Sequence, residues 1–291
     1  MTLIHAIDRY AVLGHPIHHS LSPAIHAAFA EQTAQHLSYE ALDVRPEDLE
    51  STLVRLPREG YRGVNVTVPH KEAAWRHVQQ HGQLTERAAL AGAVNTLVWT
   101  TEGLLGDNTD GQGLLNDLQQ RHGQDLAGKR ILVLGAGGAT RGVILPLLAA
   151  NPAILIVANR TADKADTLAK SFASKASNTL LRGDGLTALP EHIRAHGAFD
   201  LVINATSASL GGETITLPTG TLAESGFAYD MMYGKALTPF LAAQKALGVQ
   251  HLSDGLGMLV EQAAVAFALW RGVTPETQPV YHALRERLTQ H

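Results

Sequence analysis

The sequence contains no cysteine. That absence excludes disulfides, thiolate catalysis, iron–sulfur clusters and zinc ribbons, while leaving the compartment open. It also lacks a strong charge of either sign: 23 basic and 27 acidic residues give a net charge of −4. Nothing in that balance points to nucleic acid or to an anionic membrane. The opening residues MTLIHAIDRYAVLGHP have no basic stretch before an apolar run, so no signal peptide is expected. Long hydrophobic runs are missing too. The stretch from Val143 to Ala158 is interrupted by Pro146, Asn151 and Pro152, and that from Leu256 to Trp270 carries Glu261 and Gln262. Neither reads as a membrane helix. There is no internal repeat and no low-complexity tract. What remains is a chain of 291 residues, 45% hydrophobic and 17% charged, with room for two ordinary domains or one large one. A globular cytoplasmic protein is expected.

The chain changes character near residue 110. Before it, Tyr10 to Gly14, Ser38 to Val44 and Gly63 to Val68 read as strands. Pro23 to Gln35, Pro46 to Leu56 and His70 to Gln79 read as helices between them, and Ala93 to Leu105 reads as a hairpin. Alternating elements of this kind predict an α/β domain with a largely parallel sheet. After residue 127 the alternation is cleaner. Strands are expected at Arg130 to Gly135, Ala153 to Ala158, Asp200 to Asn204, Phe227 to Asp230 and His251-Leu252. Helices are expected at Gly138 to Ala150, with a bend at Pro146, and at Ala162 to Ala173, Pro239 to Leu247, Gly255 to Arg271 and Pro275 to Leu288.

The segment Gly135-Ala136-Gly137-Gly138-Ala139-Thr140 follows a buried strand and opens a helix. Gly135 permits a tight turn, Gly137 lets backbone N–H groups approach a pyrophosphate, and the helix start supplies partial positive charge. Thr140 stands where the dinucleotide fingerprint has a third glycine or alanine. The next strand ends in Asn159-Arg160-Thr161, followed by Lys164. An enzyme using NAD usually carries a carboxylate there for the ribose 2′-hydroxyl. A carboxylate would repel a 2′-phosphate, whereas a guanidinium pairs with it, so the reading is NADP over NAD. The ordinary alternative is a set of solvated charges on a common strand–helix turn.

Three polar segments fall at the ends of expected strands, where α/β sites are built. Gly14 to Pro23 offers Ser20 and Ser22, two hydroxyls before a helix. They suit a carboxylate, or Ser22 caps the helix ahead of Pro23. The histidines there lack carboxylates at metal-ligand spacing, so no metal is expected. In Gly63 to Lys71, Asn65 and Thr67 share a strand face, and Lys71 stands at a helix start, where its charge is unfavourable. Ala91 to Thr96 and Gly106 to Gly111 bring Asn95, Asp107 and Asp110. The aspartates suit turn or cap roles, but a lysine and an aspartate at one site also make an acid–base pair.

Taken together and in order, these segments resemble the shikimate dehydrogenase family. The resemblance rests on the serine pair, N-V-T-V-P-H-K (65–71), G-A-V-N-T (92–96), D-N-T-D-G-Q-G (107–113), the glycine loop and N-R-T (159–161). It continues through N-A-T-S (204–207), Tyr229 to Tyr233 and Asp254 to Ala263. It implies reversible NADPH-dependent reduction of 3-dehydroshikimate to shikimate, a step of chorismate and aromatic amino-acid biosynthesis. It implies two domains with a cleft between them: residues 1–107 plus 255–291 for the substrate, and a Rossmann-type doubly wound NADP domain over 108–254. Lys71 and Asp110 would be the catalytic pair. Ser20 and Ser22, with Tyr233, would bind the carboxylate. Asn65, Thr67, Asn95, Asp110 and Gln262 would meet the ring hydroxyls. NADP(H) would lie on Gly135, Ala136, Gly137, Gly138, Ala139, Asn159, Arg160, Thr161, Lys164 and Thr206, with Met231 and Gly255 beside the nicotinamide. The partner is a small molecule, with no nucleic acid and no membrane, and the assembly a monomer or homodimer.

The chain departs from the family's pattern at Ala27, after His26, where asparagine is common, and at Ser209, where glycine is common. Neither touches Lys71 or Asp110. Three other readings are open. They are a broad-specificity quinate/shikimate dehydrogenase using NAD or NADP, a non-catalytic NADP-binding sensor, and a methyltransferase built on the glycine loop. Gly111, Gly113, Gly255 and Gly257 near the expected crossings suggest hinge motion.

Overall fold

The computed structural model describes residues 7–206 and 215–290. Ser207 and Ser209 lie outside the described residues. The chain forms two compact units. One runs up to Gly113 and takes in Val260–His282; the other comprises Leu114–Leu259 and the end of the last helix from Ala283. The expected boundaries at 107/108 and 254/255 differ from these by a few residues, because single helices, Asp110–Asn116 and Leu256–Arg271, carry the chain across. The last helix, Gln278–Gln290, groups at its end with the second unit, where Arg285 pairs with Asp254 and donates to the Gly234 carbonyl.

The first unit is a six-stranded sheet: β1 (Asp8–Gly14), β2 (Leu37–Asp43), β3 (Tyr61–Val66), β4 (Gly82–Leu84), β5 (Thr96–Thr100) and β6 (Gly103–Asp107). Their order is β2-β1-β3-β5-β6-β4. The sheet is mixed: β5 runs antiparallel to β3 and β6, and the remaining pairs are parallel. The expected hairpin is therefore β5–β6. Leu13, Val64, Val66 and Leu97 form a core with Ala74 and Val78 of helix Lys71–His81. That packing turns the first residue of the helix, Lys71, toward the ends of the strands.

The second unit is a fully parallel six-stranded sheet: β7 (Arg130–Leu134), β8 (Ile154–Asn159), β9 (Leu180–Gly185), β10 (Phe199–Asn204), β11 (Leu222–Asp230) and β12 (His251–Asp254). The order β12-β11-β10-β7-β8-β9 is the doubly wound arrangement, whose strand order reverses between β7 and β10. The interior residues of β7, β8 and β10 are buried, as befits strands covered on both faces. Helix Gly138–Ala149 continues through Pro146.

Gly113, Gly255 and Gly257 have a packing reason. A Cβ would lie 2.6 Å from the Gln262 nitrogen at Gly113, 2.1 Å from the Met231 oxygen at Gly255 and 2.0 Å from Asp117 Oδ1 at Gly257. Among the described residues no helix is long and apolar enough to cross a membrane.

Candidate active site

In the first unit five of the polar residues singled out in the sequence, Lys71, Asp110, Asn95, Asn65 and Gln262, converge on one hydrogen-bonded group. Lys71 Nζ donates to Asp110 Oδ2 at 2.6 Å. The side chains are 29% and 13% exposed, so the pair is partly desolvated yet reachable. The helix start disfavours the lysine charge, and the carboxylate offsets that. The other Asp110 oxygen is held by Asn95 Nδ2 at 2.8 Å. Asn95 Nδ2 also lies 2.9 Å from Thr109 Oγ1 and 3.3 Å from Gln262 Oε1, and Asn95 Oδ1 accepts from the Thr109 N–H at 2.8 Å. Gln262 reaches this group because its helix meets Gly113 at backbone distance.

Asn65, at the end of β3, donates to the Asn95 carbonyl and to Thr96 Oγ1, and accepts from the Tyr39 hydroxyl at 2.7 Å. Thr67 lies just past the strand, its N–H donating to the Leu13 carbonyl. Ser20 and Ser22 stand at the start of helix Ser22–Gln32. Ser22 does not cap this helix. Ser22 is already the first helical residue, and the hydroxyl that accepts a backbone N–H is that of Ser20, from Ser22 at 3.3 Å.

The two aspartates of the 107–113 segment have separate roles. Asp107 is buried and takes a bidentate contact from Arg87, a bond from Thr85 Oγ1 at 2.6 Å and another from the Asn108 N–H. Burial alone would raise its carboxyl, but the Arg87 guanidinium and these donors hold it below the usual carboxylate value. Asn108 then accepts from the Asp110 N–H and donates to the Ala93 carbonyl. Asp107 thus fixes the turn that presents Asp110.

In the second unit the C-terminal ends of β7, β8 and β10 open on a cavity of about 700 Å³. It is lined by Gly135 to Gly137, by Asn159 to Thr161, and by Lys164 and Thr206. Gly135 has φ +103°, a conformation that favours glycine, and a Cβ there would lie 2.9 Å from the Thr206 methyl. A Cβ on Gly137 or Gly138 would meet nothing within 4 Å, so the loop leaves space for a ligand against its backbone. Thr140 has a specific place: fully buried, it donates to the Gly135 carbonyl at 2.9 Å and ties the loop to the helix. Ala139 is exposed in the first helical turn. Thr206 is held by Asn204, whose amide donates to buried Asp230 at 3.0 Å. Met231 follows β11, and its carbonyl lies against Gly255. Tyr233 belongs to this second unit, and burial pushes its phenol up, with Asp254 adding to the shift.

Comparison with known proteins decides the family. Profiles described as shikimate dehydrogenase substrate binding domain, shikimate/quinate 5-dehydrogenase and shikimate 5′-dehydrogenase C-terminal domain match residues 12–97, 117–214 and 255–285. The shikimate dehydrogenase (NADP+) of Aromatoleum aromaticum is 52% identical over 97% of this chain and 98% of its own. Among solved structures, an Ael1 enzyme from Pseudomonas putida superposes with a TM-score of 0.86 at 43% identity, covering 95% of this chain and 98% of that one. The Thermus thermophilus shikimate 5-dehydrogenase in complex with NADP(H) and shikimate does so at 0.82 and 38%, covering 97% and 100%.

The chain belongs to the shikimate dehydrogenase family.

The family's dinucleotide chemistry can be tested against the residues of the second unit, and they fit. The open backbone at Gly137 and Gly138 suits a pyrophosphate. Arg160 and Lys164 line the cavity beyond β8, and among the described residues its lining contains no carboxylate. Two features of this shikimate dehydrogenase family member were not expected. The Arg87–Asp107 pair joins residues on separate elements, and nothing in spacing announces it. The Tyr39–Asn65 bond joins strands two apart in the sheet, β2 and β3, across β1. A tyrosine in an edge strand carries no sign of it.

Proposed function

We propose that this protein catalyses the reversible reduction of 3-dehydroshikimate to shikimate with NADP(H), in the cytoplasm, as a step of aromatic amino-acid biosynthesis. The observation that carries the mechanism is the 2.6 Å contact between Lys71 Nζ and Asp110 Oδ2. NADPH, when bound, supplies the hydride that reduces the ketone carbon. The chain must then orient the ring and handle one proton. As an ammonium, Lys71 stabilises the charge growing on the ketone oxygen and donates the proton, with Asp110 orienting it. In the opposite direction the neutral amine takes the hydroxyl proton. Asn65, Thr67, Asn95, Asp110 and Gln262 hold the ring hydroxyls, and Ser20, Ser22 and Tyr233 hold the carboxylate. Gly135 to Ala139, Asn159 and Thr161 carry the dinucleotide, Arg160 and Lys164 select its 2′-phosphate, and Thr206, Met231 and Gly255 border the nicotinamide. The assembly is a monomer or a homodimer.

The test is the initial rate of reduced-nicotinamide formation in four mixtures, shikimate or quinate with NADP+ or NAD+. Turnover with shikimate and NADP+ alone, lost in Lys71→Ala, is the expected result. Comparable turnover of quinate or with NAD+ would replace this reading by that of a broad-specificity relative. No turnover, with NADP+ still bound, would replace it by a sensor.

A further inference from the structure

The histidines of the first unit include a pair that the active site does not use. His77 and His81 stand one helical turn apart in the last turns of helix Lys71–His81, so they share a face. Their ring centroids are 4.7 Å apart. Glu50, from the neighbouring helix Leu49–Arg55, faces both. Its Oε1 lies 2.9 Å from His77 Nδ1 and 3.8 Å from His81 Nε2. One donor atom from each of the three residues falls within 4.8 Å of the others.

We infer that Glu50, His77 and His81 form a binding site for a borderline divalent transition ion such as Zn²⁺ or Co²⁺, joining the two helices. Metal–ligand distances of about 2.0–2.1 Å in a tetrahedral site separate neighbouring ligand atoms by about 3.4 Å. The observed 2.9 and 3.8 Å fall on either side of that value, so small rotations of the exposed Glu50 and His81 close the site. His77 gives it a fixed member, since its side chain is only 5% exposed. Two imidazoles and one carboxylate are a donor set that such ions favour over Mg²⁺ or Ca²⁺, and water fills the fourth position. Helix dipoles add to the preference. The cation sits at the C-terminal turn of one helix, and the carboxylate in the first turn of the other. The ion replaces the His77 Nδ1 to Glu50 Oε1 hydrogen bond, and the histidines bind it as neutral rings. The site is built to clamp the helix whose first residue is Lys71, without touching substrate or cofactor.

The test uses the full chain without a polyhistidine tag, stripped with a chelator. Co²⁺ is titrated while visible absorption is followed, and Zn²⁺ is then added in competition. The expected result is one Co²⁺ per chain with intense tetrahedral-type bands, displaced by one Zn²⁺. Zn²⁺ at a hundredfold excess over its Kd raises Tm by about 5 °C. His81→Ala and Glu50→Gln each weaken binding by about tenfold or more and abolish the Tm shift, while oxidoreductase turnover persists. His192 and His196, beside Asp184, are the natural control, since they offer a second histidine pair with a carboxylate. His196→Ala leaves binding unchanged. No saturable binding, binding preserved in His81→Ala, or binding lost in His196→Ala would overturn the inference.

Discussion

At the scale of single residues, the proposed chemistry depends on two side chains acting as one. Lys71 and Asp110 share a hydrogen bond, and Asp110 in turn depends on Asn95. If the lysine moves the proton and the aspartate sets its position, removing either should cost nearly what removing both costs. Lys71→Ala and Asp110→Asn are each expected to lower kcat for shikimate oxidation by about 10³-fold, and the double variant by no more than about tenfold further. A double variant near the product of the single losses would show independent roles. A second residue contributes to the response to acid. Burial pushes the His26 imidazole down to about 3 from its usual 6.5, with Asn65 pulling weakly the other way. The unfolded chain therefore binds a proton between those pH values that the folded chain does not. Stability is full above pH 6.5 and is lost toward pH 3, by about 1.4 kcal/mol per pH unit from this group. The three tryptophans, Trp75, Trp99 and Trp270, all belong to the first unit, so their fluorescence in urea reports it. His26→Leu should flatten the pH dependence of the unfolding midpoint in that window, and an unchanged slope would remove His26 from the account.

At the scale of elements, two glycines two residues apart should behave differently. Gly135 has a left-handed backbone and no room for a Cβ beside Thr206; Gly137 has free space around it. Gly135→Ala is expected to lower both stability, by about 1–3 kcal/mol, and NADP+ affinity. Gly137→Ala should leave stability nearly unchanged and still weaken NADP+ by about tenfold, because the methyl occupies phosphate space. Urea unfolding paired with NADPH fluorescence titration separates the two, and equal destabilisation would refute the distinction. The same contrast explains what was legible in the chain. β7, β8 and β10 are continuous apolar runs and announce themselves. β9, with Arg182, Gly183, Asp184 and Gly185, does not. It is a strand because Gly183 lets it press against the helix carrying Ala165, where a Cβ would lie 2.0 Å from the Ala165 oxygen. β4 is hidden for the same reason, with Gly82 packed on the Leu104 carbonyl. Such strands are specified by a neighbour's backbone, which no local pattern records. The hydrogen-bonded group around Lys71, Asp110 and Asn95 was legible because polar side chains at strand ends stand out against an apolar background. Arg87 and Tyr39 were not, since one lies in a short helix and the other inside an edge strand, away from the polar strand ends.

At the scale of the molecule, charge poses a problem. A chain of net charge −4 must bind a dinucleotide more negative than NAD by a phosphate. The overall field opposes binding, so selectivity must come from cations within reach of the 2′-phosphate. Arg160 and Lys164 line the cavity just past β8 and are the cations proposed to meet that need. Their attraction for a phosphate is short-ranged and partly solvent-exposed, and salt screens it over about 10 Å at 0.1 M and about 3 Å at 1 M. Contacts to the pyrophosphate from backbone N–H groups are shared by NAD and NADP, so their salt dependence cancels in the ratio. The ratio of NAD+ to NADP+ dissociation constants should therefore fall as salt rises. An increase from 0.05 to 0.5 M is expected to reduce it by about tenfold. In Arg160→Ala the ratio should start low and change by about twofold or less. Calorimetric titration of both dinucleotides into both proteins measures this. If the wild-type ratio stays constant across that range, the preference for NADP comes from shape and not from the arginine's charge.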